Sequence, residues 1–162
     1  MDAGNQVVHR IVADLDYPMF VVTAAAGAER AGCLVGFATQ CSIEPPRFIV
    51  CLSRSNRTYR VACEADTLVV HMLPSHAQEL AELFGGETGD EVDKFARCAW
   101  RPGPGGAPVL EECGNWFAGR VLERLPAGDH DAFVLEPFAA ASANEEQFDF
   151  HRAKRIEPGH EA

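Results

Sequence analysis

Apolar and polar residues along this chain follow strand patterns more often than helical ones. The stretch "PMFVVTAAA" (18–26) is β-branched and aromatic, and "GAERAG" after it has the composition of a turn. "CLVGFATQCSI" (33–43) predicts a second strand, stopped by Pro45-Pro46. "RFIVCLS" (47–53) and "TLVVHML" (67–73) are short continuous apolar runs, as expected of strands covered on both faces. Two more, "NWFAGRVLERL" (115–125) and "AFVLEPFAAA" (132–141), flank the turn in "PAGDHDAF" (126–133). Close to the end, "QFDFHRA" (147–153) alternates apolar and polar positions and predicts a half-buried edge strand.

Helical signals are fewer. "NRTYRVACEA" (56–65) predicts a helix with Ser55 as N-cap. "SHAQELAELFG" (75–85) predicts a clearer one: Ser75 caps, Gln78 completes a capping box, and Leu80, Leu83 and Phe84 form an apolar stripe. "NQVVHRIVADL" near the N-terminus is a third candidate. The segment "RPGPGGAP" (101–108) holds neither a helix nor a central strand and reads as a surface loop within one domain. Many closely spaced strands with two or three helices predict a mostly β fold, a β-barrel with helical caps. A parallel α/β sheet would need regular strand–helix alternation.

A length of 162 residues predicts a single domain, 1–162, with its core over about 15–153. There is no apolar run long enough for a membrane-spanning helix and no signal-peptide pattern, so the expected location is cytoplasmic. A net charge of -10 argues against non-specific nucleic-acid binding, while leaving room for a small anion in a local pocket. Six cysteines at 33, 41, 51, 63, 98 and 113 match no zinc or C-x-x-C spacing, and are expected to be buried thiols.

Four stretches carry candidate chemistry. In "SRSNRT" (53–58) a strand ends and a helix begins, and main-chain N–H groups with Arg54 and Arg57 suit a phosphate. An ordinary capped helix with solvated arginines explains the same residues. "GFATQCS" (36–42) places Gly36, which permits close approach, before Thr39, Gln40, Cys41 and Ser42, polar residues in need of partners. In "GDEVDKFAR" (89–97), Lys94 beside Phe95 suits a planar ligand, or equally a core phenylalanine with a surface lysine. His130 sits between Asp129 and Asp131 in the last turn. No second histidine at ligand spacing supports a metal there, and no G-x-S-x-G supports a triad.

In order and spacing, these segments resemble the flavin reductase-like family of FMN-binding split barrels. The likeness runs through "FVVTAAAGAERAG", "GFATQCS", "SIEPPRFIVCLS", "SNRTY", "TLVVHML", "AELFGGETGDEVDKF" and "GAPVLEECGNWFAGRVLERLPAGDHDAFVLEPFAA", about residues 15–140. It implies a homodimer of six-stranded antiparallel split barrels with FMN, or FAD, near the subunit interface. It implies that main-chain groups of Val35, Gly36, Phe37, Ala38, Thr39, Gln40 and Cys41, with the Thr39 and Gln40 side chains, line the isoalloxazine. Ser53, Ser55, Asn56, Arg57 and Thr58 would hold the phosphate, and Lys94 and Phe95 would belong to the loop over the flavin. His130 would lie beside the nicotinamide of NADH or NADPH, oriented by Asp129 or Asp131. The implied activity is hydride transfer from nicotinamide C4 to flavin N5, with reduced flavin supplied to a partner monooxygenase. A non-catalytic flavin carrier, or a relative using haem or a deazaflavin, are the alternatives on the same barrel. Two features depart from the family: Gly36-Phe37 replaces a common Asn-Ser pair, and the tail lacks a tyrosine-containing last strand.

Overall fold

Strand β1 (Phe20–Ala26) shows how the pattern becomes a sheet. Phe20, Val22 and Ala24 enter one apolar core, while Met19, just before the strand, and Val21 enter a second. Both faces of the strand are therefore covered. The computed structural model describes residues 2–159, so Met1 and residues 160–162 of the expected domain lie outside the described residues.

Around β1 run β2 (Glu29–Val35), β3 (Ala38–Ser42), β4 (Arg47–Ser53), β5 (Thr67–Met72), β8 (Trp116–Pro126) and β9 (His130–Ala141). They form one antiparallel sheet of seven strands in the order β2-β1-β5-β8-β9-β4-β3. The short strands β6 (Trp100–Pro102) and β7 (Pro108–Leu110) pair separately. The large sheet curls: Cys33 and Val35 of β2 share a core with Val50 and Leu52 of β4, from its other half. Helix α2 (Arg57–Cys63) adds Val61 and Ala62 to that core. Helix α3 (Gln78–Gly86) and the short α4 (Phe150–Ala153) close the second, around Phe84, Phe95 and Phe148. Helix α1 (Ala3–Ala13) buries none of its residues.

Several expectations need correction. The sheet has seven strands, one more than the six expected, and the described residues contain four α-helices instead of two or three. The run at 33–43 is two strands, because the chain leaves the ladder at Gly36-Phe37 and turns from β2 to β3. The turn expected from "GAERAG" is only Gly27-Ala28, with Gly27 at φ 59°, and Glu29 already pairs with Ala26. Asn56, not Ser55, caps α2 through its side chain, and α3 starts at Gln78 after Ala77, without the Ser75 capping box. The "RPGPGGAP" segment is a tight hairpin between β6 and β7, with Gly105 and Gly106 both at positive φ. The expected edge strand at 147–153 shrinks to single bridges, Pro74–Gln147 and Pro18–Asp149, followed by α4. Only Cys33 and Cys113 are buried, and Cys41 is exposed on the edge strand β3.

One residue missed in the sequence locks the centre. His71, in β5, is fully buried between β1 and β7. The Leu110 main-chain N–H donates to Nε2 at 3.0 Å, so Nε2 is the bare nitrogen and Nδ1–H donates to the Val21 carbonyl at 2.9 Å. Burial, with a smaller push from Arg101, lowers its pKa to about 4 against the Val21 bond, which alone would raise it. The imidazole is therefore a neutral bolt joining three strands. The unfolded chain takes up this proton near pH 6.5 and the folded protein only near pH 4. Stability from this group is present above pH 6.5 and is lost as the pH falls through that window, by about 3 kcal/mol. Urea unfolding at a series of pH values should show that fall. His71→Phe should lower stability at pH 7 by about 2 kcal/mol, by stranding two buried main-chain groups, and make the acid slope shallower.

Candidate functional site

Strand β2 separates two clefts. Along Cys33 to Val35 lies one of about 190 Å³, bounded by Tyr17, Met19, Gly36, Phe37, Cys51, Leu52, Ser53, Asn56, His130 and Phe150. Along Arg30 to Gly32 lies another of about 200 Å³, bounded by Arg57, Thr58 and the 89–95 loop.

The first cleft is built by ladder register. Ser53, the last residue of β4, pairs with His130, the first of β9, so a strand end and a strand start meet at one rim. The Arg54 N–H continues this pairing to the Asp129 carbonyl at 3.0 Å. His130 Nδ1 donates to Asp129 Oδ1 at 2.7 Å, a bond that holds the Asp129 carboxyl below its usual range. This leaves Nε2 as the second polar atom of the ring. Phe37, half-exposed after the chain leaves β2, places its ring centroid 5.2 Å from that of His130. On the opposite wall Tyr17 stacks on Phe150 at 4.6 Å and 13°. Gly36 is required between the walls: a Cβ there would stand 2.8 Å from the Tyr17 ring. The result is a slot with apolar and aromatic walls and a rim of hydroxyl, amide and imidazole groups.

Asp131 does not orient His130. Its buried carboxylate accepts from Arg54 Nε at 2.7 Å and from the Tyr59 hydroxyl at 2.8 Å, with Arg124 at 3.8 Å. Burial pushes this carboxyl up, but the Tyr59 and Arg54 bonds outweigh it, and the group stays below the usual carboxylate range. The same bond pushes the Tyr59 hydroxyl up to about 12. One carboxylate thus joins β9 to α2 and to the segment that follows β4.

The other expected site residues divide between the clefts and an exposed edge. Val35, Gly36, Phe37, Ser53 and Asn56 meet His130 in the first cleft. The Ser53 and Ser55 hydroxyls are 2.9 Å apart, and Asn56 Oδ1 accepts from the Thr58 N–H at 2.9 Å. Ala38, Thr39, Gln40 and Cys41 lie on β3, which pairs with β4 alone and ends the sheet. There the Thr39 and Gln40 side chains bond main-chain carbonyls of their own strand. Arg57, Thr58, Lys94 and Phe95 line the second cleft. Lys94 is not a surface lysine: its buried ammonium donates to the Gly32 and Phe84 carbonyls at 3.0 and 3.2 Å, and burial lowers its pKa. It bolts the loop to β2 and α3. Sequence reasoning missed Tyr17, Met19 and Phe150, whose approach depends on the Pro18–Asp149 bridge between chain ends. Among the described residues no group of His, Cys, Asp and Glu side chains is arranged to hold a metal ion.

Residues 12–156 match the flavin reductase like domain family. Among curated relatives, the FMN reductase (NADH) RutF of Variovorax paradoxus is 35% identical over 121 residues, covering 75% of this chain and 67% of the relative. Among solved structures, the NADH:FAD oxidoreductase SgcE6 of Streptomyces globisporus C-1027 superposes with a TM-score of 0.82 at 24% identity, over 93% of this chain and 90% of that one. Nitrilotriacetate monooxygenase component B from Mycobacterium thermoresistibile superposes with a TM-score of 0.81 at 19% identity, over 93% and 84%. These two likenesses establish the fold.

The contrast between the neighbouring aspartates is testable. Asp131→Asn should lower the thermal midpoint clearly more than Asp129→Asn, whose exposed carboxylate bonds the neighbouring His130 side chain. Equal shifts in thermal melts of the two variants would contradict the role given to Asp131.

Proposed function

The chain belongs to the flavin reductase-like family, and from that premise we propose that it is an NAD(P)H:flavin oxidoreductase acting on FMN or FAD in the cleft at Ser53 and His130. The observation that carries this reading is the register that brings the hydroxyl- and amide-bearing end of β4 to the histidine turn of β9. The chemistry of the lining fits a flavin. Met19, Leu34 and Leu52 offer apolar surface to a flat ring system, and Phe37 and His130 offer planar faces. Ser53, Ser55, Asn56, Arg57 and Thr58, in continuous sequence but for Arg54, offer the hydroxyl, amide and guanidinium donors that suit a phosphate. Val35 to Cys41 would line the ring from β2 and the edge strand, and Lys94 and Phe95 would hold the adjoining loop.

A flavin held by these residues would supply the redox chemistry, as acceptor of a hydride from a reduced nicotinamide. The protein's part is to bind, orient and exclude water. His130 is the positioning residue for the dinucleotide: with Nδ1 held by Asp129, the ring keeps Nε2 for a polar contact with the nicotinamide amide. Phe37 steadies that ring from the side. Tyr17 and Phe150 close the far wall, and the close fit of Tyr17 and Met19 to Gly36 keeps the slot narrow.

Finer features follow the same reading. The curled sheet would act as a split barrel within a single domain. The homodimer draws support from α1, where Val8, Ile11 and Val12, with Leu15 just past the helix end, stay exposed along an apolar stripe. Delivery of reduced flavin to a separate monooxygenase is consistent with the fold shared with a monooxygenase component. No helix among the described residues is long and apolar enough to cross a membrane; we place the protein in the cytoplasm.

Steady-state oxidation of NADH and NADPH with added FMN, FAD and riboflavin tests the activity. Flavin-dependent turnover is expected, and bound flavin without nicotinamide oxidation would favour a carrier. His130→Ala should raise the KM for the nicotinamide about fivefold, the scale of one lost hydrogen bond, and leave flavin affinity within about twofold. An unchanged KM would remove His130 from the nicotinamide site.

A further inference from the structure

The second cleft carries cations that already have anionic neighbours. Arg57 extends from α2 with its stem packed under Gly89, where an added Cβ would lie 3.0 Å from Arg57 Cδ. Its guanidinium lies 4.0 Å from Asp90 and 3.8 Å from Glu29. One turn along α2, Arg60 bonds the same Asp90 oxygen at 2.5 Å. These contacts hold the Asp90 carboxyl below its usual range: the Arg60 hydrogen bond acts first, against partial desolvation, and the charges of Arg60 and Arg57 add to it. Asp90 thus latches the 89–93 loop onto two arginines of the helix that follows the phosphate-suited segment.

We propose that Asp90, anchored by Arg60, competes with the flavin phosphate for Arg57 and thereby sets how tightly phosphorylated flavins are held. The inference rests on the proposed binding of the flavin phosphate at Ser53 to Thr58, which includes Arg57. A phosphate entering there meets a guanidinium already shared between two carboxylates. It must displace the Asp90 contact or accept its repulsion, because like charges a few ångströms apart disfavour one another even near solvent. The latch therefore weakens binding of the phosphate end without touching the ring. That suits a flavin that leaves after reduction more than one held through many turnovers. Both arginines and Asp90 are partly exposed, so the effect is a modest affinity adjustment and not an on–off switch.

The test is flavin binding, followed by fluorescence quenching, for riboflavin, FMN and FAD with the wild-type protein, Asp90→Asn and Asp90→Glu. Asp90→Asn keeps the shape and removes the charge. It is expected to tighten FMN and FAD about twofold to fivefold, the effect of one partly exposed charge, and to leave riboflavin unchanged. Asp90→Glu should stay close to the wild type for all three. Unchanged or weaker FMN binding in Asp90→Asn would overturn the proposal, as would an equal gain for riboflavin, which has no phosphate. A wild-type protein that binds none of the three flavins would overturn the flavin site itself and this inference with it.

Discussion

Asp131 lies one residue beyond His130, and its carboxylate accepts from Arg54 and Tyr59 beneath the histidine turn. Arg54 follows β4, Tyr59 belongs to α2, and Asp131 belongs to β9, so one buried charge ties together the three segments that form the site. Losing a partner would leave an uncompensated charge below the surface, which costs far more than an exposed ion pair contributes. The β4–β9 ladder fixes the register along the strands, and Asp131 fixes α2 against them. His71 plays the corresponding part on the other half of the sheet, with hydrogen bonds in place of charge. Polar groups buried in this protein therefore lie where separate elements must keep a defined spacing.

From this scaffold the division of labour in the site follows. The walls of the first cleft are rigid side chains on strand ends and on the docked C-terminal segment, and few of them titrate. That is the arrangement expected when a cofactor carries the electronic chemistry and the protein orients two flat molecules. Ionisable groups gather instead at the margins, in the Asp129–His130 pair and among Arg57, Arg60 and Asp90. There, on the proposed reading, they act on how ligands arrive and leave.

Much of this was legible in the residues. The runs 47–53 and 67–73 became β4 and β5; β5 is covered on both faces as its continuous apolar sequence suggested, whereas β4 buries Val50 and Leu52 and leaves Ile49 and Cys51 only half-buried. The turn within "PAGDHDAF" also appeared between two long strands, but it is only residues 127–129, with Pro126 ending β8 and His130 opening β9. Other features depended on contacts no local pattern records. The break at Gly36-Phe37 was hidden because it lies between strand formers, Leu34-Val35 on one side and Thr39 on the other, and the close approach of Tyr17 to Gly36 is a contact no local pattern records. The alternation in "QFDFHRA" is real, but Asp149 caps a helix instead, and Phe148 and Phe150 fill the second core and stack on Tyr17. The two aspartates of the turn look alike in sequence; Asp131 lies inside β9 and is buried, while Asp129 stays outside the strand at the exposed tip. Lys94 was recognisable as a residue of interest, but its burial against two carbonyls depends on the approach of β2 and α3.

The central claim is that the flavin lies where the end of β4, the start of β9 and the β2–β3 turn converge. Amide hydrogen exchange read by mass spectrometry, with and without saturating FMN, tests it most directly. Slower exchange at residues 35–41, 53–58 and 129–131, with none gained in the β6–β7 hairpin, is the result this account predicts. Protection confined to other segments, or no protection at saturating flavin, would contradict it.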